Sequence, residues 1–157
     1  MRIRHALFVG LVAALAVSLA GIVSSAVAAE TPFKGTVNAV EAGTTVFPIR
    51  SITREGDGTA TYLGKYTEHI TGQINLETRH LTGAATFTAA NGDTLTATVD
   101  GQATPTATPG VLSVVEVYTI TGGTGRFADA TGTFTLHSTV TQATGVSSGT
   151  FSGAIDH

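Results

Sequence analysis

The sequence predicts an all-β protein, an eight-stranded antiparallel barrel following a cleaved signal peptide. Three observations carry this. Threonine, valine, isoleucine, phenylalanine and tyrosine fall in short runs, which is strand composition. Glycine, proline or asparagine breaks the runs at nearly every junction, where the chain must turn. After Glu30 no stretch holds apolar residues at three-to-four spacing over helical length.

The chain opens with MRIRHALFVGLVAALAVSLAGIVSSAVAAE, in which Arg2 and Arg4 precede an apolar run from Ala6 to about Val23 and a small-residue close at Ala26-Val27-Ala28-Ala29. That order is a secretory signal, so residues 1–29 are expected to be removed and residues 30–157 to form a single barrel domain. The apolar run approaches the length that spans a bilayer, but no charged stop-transfer cluster follows it. With no cysteine in the chain, lipid anchoring through a thiol is excluded and stability must come from a core and a hydrogen-bonded sheet. Loss of Arg2 and Arg4 leaves six basic against eleven acidic side chains, a formal charge of −5. Such a balance argues against nucleic acid as a partner. The processed protein is expected to be secreted, extracellular or periplasmic, with no membrane partner.

Strands are expected at Phe33–Val40, Thr45–Thr53, Thr59–Ile70, His80–Ala89, Thr94–Gln102, Val111–Thr121, Thr131–Thr141 and Ser147–Ile155. The fourth and fifth are joined by Ala90-Asn91-Gly92-Asp93, where Asn-Gly supplies the positive φ angles of a tight hairpin. The fifth and sixth are separated by QATPTATPG, Gln102 to Gly110, a stiff extended connection that cannot pair along its length. Eight short strands in this rhythm suggest a meander that closes on itself.

Two stretches imitate catalytic or cofactor motifs. Gly123-Thr124-Gly125-Arg126-Phe127-Ala128 fits the spacing of a dinucleotide-binding loop and follows an apolar run. That site needs a helix facing the phosphates and an acidic residue about twenty positions on. Only four residues intervene before Thr131 resumes strand alternation, and no Asp or Glu lies between Asp129 and Asp156. The stretch therefore reads as a cramped bend with Phe127 folding back as a plug, and no cofactor is implied. Gly145-Val146-Ser147-Ser148-Gly149 fits a nucleophile elbow, followed by Asp156 and His157. It leads into a strand rather than a helix, so it reads as a turn. The histidines after residue 30 show no ligand spacing, so no metal site is expected, and His137 reads as solvated.

Gly122-Gly123-Thr124-Gly125, with Phe127, Ala130 and Gly132, resembles the G-G-T-G-x-F-x-x-A-x-G stretch of the allene oxide cyclase and dirigent-like barrels. The neighbouring FTAANGDTLTATVDGQATPT and GVSSGTFSGAI are similar to small secreted bacterial proteins of that barrel type. The resemblance implies a calycin-type eight-stranded meander, often oligomeric, with a lumen for an apolar small molecule. In the enzymes it implies cyclisation, and in the dirigent proteins the steering of radical coupling. The chemistry rests on residues outside the glycine stretch, and no second motif maps onto this chain.

Alternation offers candidates for the lumen. Even positions of the sixth strand are Leu112, Val114, Glu116, Tyr118 and Ile120; those of the third include Tyr62, Tyr66, Glu68 and Ile70. Each face joins apolar bulk to tyrosine and one carboxylate. Tyr62, Tyr66, Leu112, Val114, Glu116 and Tyr118 are the candidate ligand-binding residues; Glu116, Glu68 and Tyr118 are the candidate acid–base groups, because enclosure raises a carboxyl pKa. Glu68 reads as facing solvent or a neighbouring subunit, and Glu116 divides evenly between lumen and surface. Val111, Val115 and Val117 make the opposite face apolar too, so parity leaves the inward side open. Three functions compete: a carrier of a small apolar molecule, a cofactor-free isomerase or cyclase, and a surface or structural module with a packed lumen.

Overall fold

The computed structural model describes residues 31–157; the signal peptide expected at 1–29 lies outside the described residues. Eight strands follow in chain order: β1 (Thr31–Val46), β2 (Ile49–Ala60), β3 (Gly64–Asn75), β4 (His80–Ala89), β5 (Thr94–Pro105), β6 (Val111–Gly123), β7 (Thr131–Thr141) and β8 (Val146–Asp156). Each pairs antiparallel with the next, and β1 pairs with β8 from Thr31↔Ile155 to Val40↔Val146. The sheet is a closed barrel, so every strand has two neighbours and the open edge that threatens exposed sheets is largely removed.

The expected boundaries of the fourth and seventh strands match, and those of the fifth, sixth and eighth shift by a few residues. The first three need correction. The first reversal falls at Phe47-Pro48, inside the strand expected at Thr45–Thr53, and the second at Thr61-Tyr62-Leu63, inside that expected at Thr59–Ile70. Residues 54–58, left between the second and third expected strands, lie within β2. There the glycines make room: a Cβ on Gly58 would stand 2.8 Å from the Tyr66 hydroxyl, and one on Gly56 would stand 2.7 Å from the Ala39 Cβ. They are spacers on the inner wall of the barrel.

Up-and-down connectivity sorts the turns into two ends. One end holds both described termini, the β2–β3 and β4–β5 turns and the glycine stretch. Gly125–Phe127 forms a single turn of 3-10 helix, and Phe127 is fully buried, which bears out the plug and leaves no helix to face a pyrophosphate. Arg126 lies over the Phe127 ring at 4.9 Å. Above the plug lies an aromatic layer. Phe33, Phe134 and Phe151 meet with centroids about 5 Å apart, Phe87 meets Tyr66, Tyr118 and Phe134 edge-on, and Tyr118 stacks on Phe134 at 4.6 Å and 4°. Offset and edge contacts of this kind add to the burial of each ring. Half of the lumen is thus solid.

Candidate functional site: a charged floor beneath a lumen cavity

The aromatic layer ends at Arg54, which projects inward from β2 and is 3% exposed. Ile52, Arg54 and Gly56 share the inner face by strand alternation, so the guanidinium crosses the barrel toward β3 and β6. Its Nε donates to Glu68 Oε1 at 3.1 Å. Nη1 and Nη2 donate to Glu116 Oε1 and Oε2 at 2.8 and 2.9 Å, the planar fork matching the carboxylate. Nη2 also donates to the Tyr118 hydroxyl at 2.6 Å, and that hydroxyl donates to Glu116 Oε2 at 2.8 Å. Glu68 and Glu116 are 2% and 1% exposed.

Space for this cluster comes from Gly101 on β5, the register partner of Glu116. A Cβ there would lie 2.9 Å from the Glu116 Cγ.

Burial shapes the protonation. Desolvation alone would lower the Arg54 guanidinium, but its contacts with Tyr118, Glu116 and Glu68 outweigh it and hold Arg54 well above the ordinary arginine value. Desolvation raises Glu68, against the lowering effect of Arg54. The Tyr118 phenol is pushed well above its ordinary value, first by burial and then by Glu116. Near neutral pH it therefore stays protonated, committed as donor to Glu116 and acceptor from Arg54.

Beyond the floor the lumen is open. A cavity of about 220 Å³ runs from Arg54 and Glu116 toward the end that carries the β1–β2, β3–β4, β5–β6 and β7–β8 connections. Its walls are mainly aliphatic, with Ile74, Leu81, Leu112, Val114 and Val140. Toward the mouth stand Glu41, Arg50 and Arg79. Arg50 Nη2 approaches Glu41 Oε1 at 3.4 Å, and the Arg50 Nε is buried without a partner among the described residues. Desolvation raises the Glu41 carboxyl, partly countered by Arg50 and Arg54.

No family model, curated protein or solved structure matches this chain. Its function has to be read from the cavity and the charges around it.

The structure divides the candidates. Leu112, Val114 and Glu116 line the cavity together, so even positions of β6 face inward; Val115 and Val117, at 40% and 45% exposure, face out. Tyr66 and Tyr118 are interior but belong to the aromatic layer, where the Tyr66 hydroxyl donates to the Thr36 carbonyl at 2.9 Å. Tyr62 is corrected: it sits in the β2–β3 turn with φ +67°, at the plugged end, and its ring faces His157 at 4.8 Å. Parity failed there because the strand begins only at Gly64. Glu68 is corrected too, since it faces the lumen and binds Arg54. The elbow-like Ser147 lies within β8, its hydroxyl donating to the Ala39 carbonyl at 3.4 Å, and His137 is exposed.

Sequence reasoning missed Arg54, Glu41 and Arg50. The signal for Arg54 was present in Ile52-x-Arg54-x-Gly56, an inner-face alternation hidden because the expected second strand stopped at Thr53.

Proposed function

We propose that this protein is a secreted carrier that binds a small, predominantly apolar molecule in the open half of its barrel. The supporting observation is the cavity itself: aliphatic walls, a polar floor at Arg54 and Glu116, and a mouth at the end opposite the Phe127 plug. Sites of this form, concave and apolar with a few fixed polar groups, are where proteins hold small ligands. The glycine stretch and its resemblance to allene oxide cyclase and dirigent-like barrels favour the same reading. The floor cluster is better suited to holding than to reacting. Both Glu116 oxygens are occupied by Arg54, and the Tyr118 hydroxyl is occupied on both its donor and acceptor sides.

Two measurements test this. Native mass spectrometry of protein purified from its own host should reveal a co-purifying molecule, and an environment-sensitive apolar dye should bind saturably at one site. Ala103→Phe, which fills the cavity from β5, should abolish dye binding while the circular dichroism spectrum stays sheet-like. Absence of both a bound molecule and saturable binding would leave the packed-module reading in its place. Intact mass on the same sample tests export, with a chain starting near Ala29 or Glu30 as the expected result.

One observation favours a second reading, the cofactor-free isomerase. Glu41 lines the cavity, its carboxyl is raised by desolvation, and its single contact with Arg50 leaves it freer than Glu116. If the bound molecule is converted, Glu41→Gln should abolish turnover and retain binding.

A further inference from the structure

The most exposed large apolar side chains among the described residues are Val46 and Phe47, 81% and 70% accessible, at the tip of the β1–β2 hairpin. The tip projects because β1 outruns one neighbour: its pairing with β8 ends at Val40↔Val146, while its pairing with β2 continues to Val46↔Ile49. From Ala42 to Ile49 the segment AGTTVFPI carries no charged side chain. Leu76 stands beside it, 37% exposed, its amide donating to the Pro48 carbonyl at 2.8 Å. This hairpin belongs to the end at which the cavity opens.

Charge at the mouth end is balanced, Glu41 facing Arg50 and Glu77 sharing a turn with Arg79. The connections at 106–110 and 142–145 on the mouth end are uncharged, and only Glu77 and Arg79 occupy the β3–β4 turn. Lys34, Lys65, Asp93, Arg126, Asp129 and Asp156 belong to the plugged end. An apolar projection beside an apolar cavity marks a surface that contacts something apolar.

Resting on the lumen-binding reading above, we propose that the mouth end docks on a lipid bilayer, with Val46 and Phe47 entering it, so that the ligand passes between bilayer and cavity without crossing bulk water. A bilayer fits this surface better than a second protein copy does. Val46, Phe47 and Leu76 on a narrow turn, even with Val40 and Val146 exposed on the wall below, fall short of the ~800 Å² per partner of a stable protein interface, whereas insertion into lipid needs no complementary shape. The net acidic charge of the chain, which an anionic surface would repel, is carried away from the mouth. The proposal departs from the expectation of no membrane partner, which read Val46 and Phe47 as part of a strand at Thr45–Thr53 and not as a hairpin tip.

The chain has no tryptophan, so Phe47→Trp installs a sole indole at the tip. With zwitterionic phosphatidylcholine vesicles its emission should shift to the blue and be quenched by brominated acyl chains, while Tyr62→Trp, at the plugged end, should not respond. Val46→Ser with Phe47→Ser should weaken vesicle co-sedimentation at least tenfold and leave circular dichroism unchanged. Identical Phe47→Trp emission with and without vesicles overturns docking, as does a blue shift driven by protein concentration alone, which would assign the tip to a second copy. Dye binding in vesicle-free solution separates the two ideas. Saturable binding with no vesicle response overturns docking and leaves the lumen reading intact; a vesicle response without dye binding overturns the lumen reading and the transfer role with it.

Discussion

Arg54 and Glu116, 62 residues apart, meet end-on inside the barrel, with both hydrogen bonds at or below 2.9 Å and both side chains nearly withdrawn from solvent. A buried pair of this kind is costly to break from one side, because the survivor is left charged and unpaired. Arg54→Met should therefore lower stability by about 3–5 kcal/mol, read by denaturant titration. Converting Arg54, Glu68, Glu116 and Tyr118 together to Met, Leu, Leu and Phe should recover most of that loss. If the fourfold variant is less stable than Arg54→Met, the cluster stabilises the fold beyond mutual compensation.

Stability should fall as pH rises above about 4.5. Desolvation lifts Glu68 above its ordinary value of 4.5, and Glu41 moves the same way. The folded chain then holds a proton across a window in which the unfolded chain has released it, and stability declines through that window. Glu68→Gln keeps an acceptor for the Arg54 Nε and removes the titration. Its melting temperature should gain on the parent's between pH 4.5 and neutrality; a constant difference would mean that Glu68 does not titrate there.

Gly101→Ala should cost about 1–3 kcal/mol, the range for overpacking a filled interior. The new methyl would meet the Glu116 Cγ at 2.9 Å and the Leu81 Cβ at 3.4 Å, and Glu116 cannot swing away without releasing Arg54. Calorimetry measures this against Gly92→Ala, where nothing lies within 4 Å and only the φ of +90° opposes a side chain. A smaller loss for Gly101→Ala than for Gly92→Ala would show that the floor yields easily.

The lumen's two halves should respond differently to substitution. Leu112→Trp, in the cavity wall, should weaken dye binding at least tenfold. Tyr66→Phe, in the aromatic layer, should leave binding unchanged and reduce stability by about 1 kcal/mol through loss of its hydrogen bond to Thr36. Dye titrations and melting curves on the same preparations read both effects.

The fold was legible because strand alternation, Asn91-Gly92 and the glycine stretch are local signals, and eight strands with closing turns leave few alternatives to a barrel. That Leu112, Val114 and Glu116 share one face was legible for the same reason, but the equally apolar Val111, Val115 and Val117 left open which face points inward. Arg54 was not legible, because its role depends on glycines that act as spacers against Ala39 and Tyr66, their partners on the two neighbouring strands. A local reading sees only their freedom to turn. Tyr62 failed in the opposite way: its parity was counted from a strand that had not yet begun.

The seam between β1 and β8 also places the fold in time. Thr31 and Ile155, 124 positions apart, are joined across it by the Thr31 hydroxyl as well as by the ladder, so the first strand made waits for the last. Until residues 146–156 emerge, β1 and β7 each present a bare edge, and Phe33 lacks the Phe151 ring it packs against. Contacts of such long separation form late and all together. A chain halted before β8 should thus be no smaller version of this protein, but an unfinished one that proteases can read from end to end.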